Sequence, residues 1–425
     1  MTPTQTLART AVLALLARLR DGGLELVEPG GSRHVLGGAG GEPRARIEVR
    51  DPRFWPALRR GSRGLASAYV DGWWETPDLT AVIGVAARNA GALDEARRRL
   101  APLRVPYQHL TGVRGRITRG RSREVIDAHY DLGNDFFELM LDDTMMYSAG
   151  SFATPATTLR DASVAKLELV CDKLGLGPGD HVLEIGTGWG GFAVHAATTR
   201  GCRVTTTTLS GEQLAYARER VAAAGVADRV TLLQRDYRDL EGTYSAVVSL
   251  EMIEAVGWRD FPTFFAACSQ RLAPDGALLL QAITMDDRAY AVEKASKSFI
   301  REQIFPNGCL PSQEVVARCV ARHTDLRMAH HEDLTEDYVF TLAHWRANVE
   351  AHERRLDQLG YDERFRRLWR MYLCYCEAGF AERRIGVGQT LLVKPRWRRP
   401  APATAVAGPA GLELAAAAAQ CAAAR

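Results

Sequence analysis

Apolar positions along the chain follow two different rhythms. Up to about residue 120 the rhythm is mixed. A short apolar run at residues 11–17, flanked by Arg9, Arg18 and Arg20, predicts an amphipathic helix. A glycine-rich stretch at residues 30–41 predicts turns. Polar and apolar residues then alternate over residues 44–49, which predicts a strand. Tyr69, Trp73 and Trp74 stand close together, and the core of a small unit is the expected place for the tryptophan pair. Glycines among basic residues at 112–120 predict a linker.

From about residue 124 the rhythm becomes regular. Apolar runs at residues 182–185, 230–233, 246–250 and 277–283, and a β-branched run at 204–209, predict buried strands. Stretches of helical spacing lie between them, at residues 163–174, 192–199, 211–224 and 261–272. Strand and helix in alternation predict an α/β fold with a mostly parallel, doubly wound sheet. A long helical insertion rich in arginine and aromatics follows, and residues 389–393 predict a last strand. This divides the chain into an N-terminal unit at 1–120, a main domain at 121–398 and an alanine- and proline-rich tail at 399–425 that is expected to be disordered.

Composition adds bounds. Among 425 residues the net charge is only +3, so nothing calls for a nucleic acid. The arginines are uneven, with clusters at 97–99, 114–123, 364–370 and 396–399. Such clusters suit an anionic membrane surface or acidic ligands, and equally a solvated surface. The eight cysteines show no metal-ligand spacing, since Cys374 and Cys376 are too close for a usual zinc knuckle. No metal is expected, and a reduced, cytoplasmic setting is. No run approaches the roughly 18 apolar residues of a transmembrane span, so contact with a membrane would be peripheral, from its inner face.

One segment carries the chemistry. Val182-Leu183-Glu184-Ile185 runs into Gly186-Thr187-Gly188-Trp189-Gly190-Gly191, a strand entering a glycine loop that opens a helix. Glycines let backbone turn sharply and approach a ligand closely. A dinucleotide site expects an acid about 20 residues on, at the end of the next strand. Here that strand ends Thr206-Thr207-Thr208-Leu209-Ser210, with no acid. Glu184 stands before the glycines instead, and Asp236-Tyr237 closes the third strand, where an adenine would lie. The reading is an S-adenosylmethionine site.

Longer matches make a resemblance specific. They are Ala128-His129-Tyr130-Asp131-Leu132-Gly133-Asn134-Asp135-Phe136-Phe137, Met146-Tyr147-Ser148, Thr208-Leu209-Ser210-Gly211-Glu212-Gln213, the segments 236–240, 304–312 and 372–380, and Tyr69-Val70-Asp71-Gly72-Trp73-Trp74. Together they resemble the cyclopropane-fatty-acid synthase family, including its mycolic-acid relatives, over about residues 50–395. The resemblance implies a Rossmann-like class I methyltransferase with a seven-stranded sheet, a helical lid and a lipid-engaging N-terminal domain. It implies methyl transfer from S-adenosylmethionine to the cis double bond of an acyl chain, usually in a membrane phospholipid. The carbocation so formed must be kept from water and lose a proton. Proton loss from the new methyl closes a cyclopropane. The competing outcome is a methylene or shifted alkene, the precursor of a methyl branch.

Residue roles follow from the same resemblance. Tyr147 and Ser148 match contacts to the cofactor's methionine part. Gly186, Gly188 and Gly190 match the loop beneath it. Thr208, Leu209 and Gln213 match ribose contacts, and Tyr237 an adenine contact. Glu254 matches a glutamate that holds a bicarbonate ion acting as base, with Glu251 near enough to share or take that role. Tyr338 matches a tyrosine of the same pocket, and Cys376 a cysteine of the active site. Three positions depart from the pattern: Ala149 replaces a cysteine, Gln281 a histidine, and Ala255 a histidine. Gln281 still offers an amide donor, and Ala149 a backbone N–H. These departures leave the product open, and the oligomeric state is also open, with a homodimer as the candidate. A methyltransferase of a small amine or hydroxyl, and a lipid-binding protein without catalysis, are the rival readings.

Overall fold

The computed structural model describes residues 1–38, 42–91, 133–295, 298–306 and 308–398. The predicted linker, the clusters at 97–99 and 114–123, residues 128–132, the boundary near 120 and the tail lie outside them.

Helix α1 (Pro3–Leu16) opens with a reciprocal cap, in which Thr2 accepts from the Gln5 N–H and the Gln5 side chain accepts from the Thr2 N–H. Strands β1 (Gly23–Val27), β2 (Arg33–Gly37), β3 (Arg44–Val49) and β4 (Trp74–Glu75) form a sheet ordered β2-β1-β3-β4. Strand β2 lies inside the stretch expected to be turns. Gly30 and Gly31, both at positive φ, make only the hairpin bend, and Arg33–Gly37 then pairs antiparallel with β1. Helices α2 (Phe54–Ala57), α3 (Ser62–Val70) and α4 (Leu79–Arg88) complete this unit. Trp74 is fully buried and donates its Nε1–H to Leu65 O, while Trp73 lies half-buried under the Arg53 guanidinium.

The main sheet has the order β10-β11-β9-β8-β5-β6-β7. Its strands are β5 (His181–Ile185), β6 (Arg203–Thr207), β7 (Val230–Leu233), β8 (Tyr244–Leu250), β9 (Leu272–Met285), β10 (Arg327–Asp333) and β11 (Ile385–Val393). The pairs from β7 through β9 are parallel, and β11 and β10 close the sheet antiparallel. This is the seven-stranded, mostly parallel Rossmann-like sheet. Strand β10 escaped the sequence because it is an edge strand exposed at nearly every position, so no alternation marks it. Helices α5 (Asn134–Met140), α6 (Leu159–Leu174), α7 (Gly191–Thr199), α8 (Gly211–Ala223) and α9 (Phe261–Arg271) pack around the strands. Helices α10 (Asp287–Ala295), α11 (Gln313–His323), α12 (Thr335–Ala351), α13 (Glu353–Gln358) and α14 (Glu363–Ala381) make up most of the insertion.

The two sheets are joined by a continuous core. Phe54, Tyr69, Val82 and Ile83 of the N-terminal unit belong to one buried cluster with Phe136, Trp345, Trp369, Tyr372 and Phe380. Polar contacts add to it: Arg367 donates to Tyr69 O and pairs with Glu75, and Arg88 pairs with Glu382.

Candidate active site

Strand β5 pairs with β6 on one side and β8 on the other, so a crevice opens beyond its C-terminal end. The glycine loop lies there. Gly186 sits at φ +105°, which a side chain would strain, and its N–H and that of Thr187 both bond to Thr207 O. Gly188 has φ +50° and open space where a Cβ would point. At Gly191 a Cβ would meet the Met146 sulfur and Thr144 O within 2.6 Å, so this glycine serves packing. Gly190 caps α7 and abuts Ala217.

The crevice is lined by Tyr147, Ser148, Glu184, Gly186, Gly188, Thr208, Leu209, Gln213, Tyr237 and Glu251, among others. Thr208 donates to Gln213 Oε1 at 2.9 Å, which fixes both side chains at the lip. Glu184 is buried, and its Oε2 has no partner. Burial pushes its carboxyl up to about 8, opposed first by a hydrogen bond from Thr206 and then by the Lys166 ammonium. Tyr237 likewise has a buried hydroxyl without a partner. These two orphaned groups and the open space at Gly188 suit a ligand carrying cationic and aromatic parts, as S-adenosylmethionine does. Asp236 does not line the crevice. Both its oxygens bind Arg238, at 2.8 and 2.6 Å, and it caps the turn at Tyr237–Asp239.

Beneath Ser148 lies an unexpected cation. Lys166 of α6 is fully buried and donates to Ser148 Oγ at 2.7 Å. Burial pulls its ammonium down to about 8, while Glu251, Asp142 and Glu184 hold it up.

The pocket residues converge on Glu251. Its Oε1 accepts the Ala149 N–H and the Gln281 amide, each at 2.8 Å, and its Oε2 accepts the Tyr338 hydroxyl at 2.7 Å. Glu251 stands just past β8 with φ +52°, the left-handed region that non-glycine residues avoid. Its own N–H is held by Gln281 O at 2.8 Å. Burial raises its carboxyl above the usual range, and the three donors pull it back. Tyr338 is itself pushed well up by burial and by Glu251, so it stays an O–H donor.

Glu254 is placed differently. Its Oε1 accepts from Ile283 N at 2.6 Å, and its Oε2 is buried without a partner. Burial and then the neighbouring Glu251 push it up to about 8. Gln281 and Tyr338, expected beside a Glu254-bound bicarbonate, therefore reach Glu251 instead. Three donors that would hold a bicarbonate are already taken by a carboxylate of this chain. The ion does not fit. The Cys376 thiol, pushed up to about 12 by burial, makes no hydrogen bond to this cluster. Aromatic rings wall the pocket: Tyr338 lies 4.4 Å from Phe380 and 5.9 Å from Trp345, and Tyr147 lies 5.2 Å from Trp345 and bonds Tyr372 at 2.8 Å.

Comparison with known proteins identifies the family. The family described as mycolic acid cyclopropane synthetase matches residues 118–390. A tuberculostearic acid methyltransferase of Mycobacterium tuberculosis is 40% identical, over 79% of this chain and 80% of its own. A cyclopropane-fatty-acyl-phospholipid synthase of Escherichia coli is 35% identical, over 83% of this chain and 88% of its own. Among solved structures, a cyclopropane synthase of Mycobacterium tuberculosis superposes with a TM-score of 0.60 at 30% identity, covering 64% of this chain and 98% of that one. A mycolic acid cyclopropane synthase bound to SAH gives the same values.

Proposed function

Since the chain belongs to the mycolic acid cyclopropane synthetase family and is an S-adenosylmethionine-dependent fatty acyl methyltransferase of that family, we propose that it methylates the cis double bond of an unsaturated phospholipid acyl chain with Glu251 as the base. The observation that carries this is the Glu251 carboxylate, lining the cofactor crevice and held by Ala149 N–H, Gln281 and Tyr338.

S-adenosylmethionine supplies an electrophilic methyl on a sulfonium. The chain's own residues do the rest. Glu184, with its free oxygen, faces the cationic methionine end, and Tyr147 and Ser148 border it. The alkene π electrons form the new C–C bond to the methyl as its bond to sulfur breaks and leaves the electron pair on a neutral thioether, and the other alkene carbon is left a cation. Ring faces of Tyr338, Trp345 and Phe380 attract that cation and exclude water. A hydride shift moves the cation to the methyl-bearing carbon, and Glu251 takes a proton from the methyl. The product is a methylene-bearing chain, the precursor of a methyl branch. One observation supports this outcome over ring closure: the relative at 40% identity is named a tuberculostearic acid methyltransferase.

The test uses purified protein, vesicles of unsaturated phospholipid, and buffer freed of bicarbonate. Turnover is expected to be the same with and without added bicarbonate, and to fall by about 10² to 10⁴ in Glu251→Gln. Turnover that requires bicarbonate would return the base to an ion at Glu254.

A further inference from the structure

A row of polar side chains crosses the main sheet from the base to the surface. Gln281 of β9 and Gln389 of β11 are both fully buried and stand directly opposite each other in the antiparallel ladder. Glu332 of β10 is opposite Gln389 in turn. Residues opposite in a ladder share a face, so the three form one line. Helix α6 covers it. From its last turn Lys173 donates to Gln389 Oε1 at 2.5 Å and pairs with Glu332. The Gln389 amide donates to Gln281 Oε1 at 2.9 Å. The Gln281 amide donates to Glu251 Oε1 at 2.8 Å and to Ala149 O at 3.2 Å.

The direction of this chain of bonds is fixed from both ends: the Ala149 carbonyl and the Glu251 carboxylate can only accept from Gln281, and Lys173 can only donate to Gln389. A glutamine side chain turned by half a rotation exchanges acceptor for donor, so two buried glutamines alone could point either way. An ammonium can only donate. With Lys173 on Gln389 Oε1, the Gln389 amide must face Gln281 Oε1, and the Gln281 amide must then face Glu251. Reversed, a carbonyl oxygen would face the carboxylate and disfavour its ionised form. We infer that Lys173 is a positioning residue: through Gln389 it reinforces the orientation in which Gln281 presents a hydrogen-bond donor to the catalytic carboxylate.

This rests on the reading of Glu251 as base. Other groups face Glu251 as well: Lys166 from α6, Glu254 from the turn after β8, and Tyr338 from α12. Lys173 is faced by Glu332 and lies near His331, both on β10. None of these contacts Gln389 Oε1, so changing Lys173 isolates the relay from the direct neighbours of the base.

The experiment compares Lys173→Gln, Lys173→Met, Lys173→Arg and Gln389→Met with the parent in the full chain. Turnover on unsaturated phospholipid vesicles is followed from acid to alkaline pH, and S-adenosylmethionine affinity is measured by calorimetry. In Lys173→Gln and Lys173→Met the acid limb of the profile should move up by about one pH unit, a tenfold loss of ionised base on the limb. Turnover should recover at high pH, with cofactor affinity unchanged. Gln389→Met should move the limb the same way, and Lys173→Arg, still an obligate donor, should restore it. Lys173→Gln keeps a hydrogen-bonding side chain, so the test survives if Lys173→Met fails to fold. A loss by the same factor at every pH, or no change, overturns the inference while Glu251→Gln stays inactive. If Glu251→Gln keeps parent turnover, the base assignment falls and the inference with it.

Discussion

At the scale of single residues, Glu251 and Glu254 divide the work that the sequence left between them. Both are carboxylates at the end of β8, and both are raised by burial. Only Glu251 is met by three donors, which favours its ionised form, while Glu254 has an oxygen with no partner and is pushed up by Glu251. The neutral acid is therefore expected on Glu254. Glu251→Gln should lose on the order of 10² to 10⁴ in turnover, the range of positioned proton transfer, with cofactor affinity nearly intact. Glu254→Gln mimics the neutral acid and should turn over within about threefold of the parent, a margin small against that range. Single-turnover assays of both variants decide the assignment, and a dead Glu254→Gln with an active Glu251→Gln would reverse it. The pH dependence has a defined sign. The base must be ionised, and its carboxyl lies above the ordinary carboxylate range, so turnover should rise with pH across a limb above that range. Sequence reasoning found both carboxylates, Gln281 and Tyr338. It put Glu254 first and Glu251 second, because the reverse choice depends on the left-handed backbone at Glu251, which aims the side chain. Lys166 and Lys173 were missed altogether. Their signal was present: two lysines seven apart fall on one face of a helix.

At the scale of elements, the parallel strands and the glycine loop were legible because their physics is local. An apolar run must be buried, and a glycine at φ +105° or with no room for a Cβ must be glycine. Strands β1, β2 and β10 were not legible: β10 is exposed at nearly every position, and β2 sits among glycines. Asp236 was assigned to the ligand from its place after β7, but Arg238 two residues on claims both its oxygens. The loop gives a prediction at this scale. Gly188→Asp would put a carboxylate into the crevice at a left-handed position, and calorimetry should find cofactor binding lost. Unchanged affinity would remove the loop from the cofactor site. Packing gives another. Phe137 is fully buried against Trp189 and Tyr147, and Phe137→Ala should lower stability by about 3–5 kcal/mol in denaturant titration.

At the scale of the whole molecule, the N-terminal unit is more than an appendage. Its helices share a core with α14, and Arg63 on α3 pairs with Glu302 in the insertion. It also exposes Leu7, Leu15 and Val35, while no helix among the described residues is long and apolar enough to cross a membrane. Apolar side chains on a surface with many arginines suit peripheral contact with anionic lipid. Sedimentation with anionic vesicles should show binding that weakens as salt rises, since such attraction is screened over about 10 Å at 0.1 M. It should fall further in a Leu7→Glu and Val35→Glu double variant, and equal binding to neutral vesicles at every salt level would contradict the contact. Lipids from cells producing the parent, and from cells producing Glu251→Gln, can be separated by chromatography against cyclopropane standards and cleaved by ozone to place the new carbon. The parent is expected to give an acyl chain bearing an exocyclic methylene, and Glu251→Gln to leave the alkene unmodified. A cyclopropane from the parent, or the same methylated chain from both, would contradict the proposed mechanism.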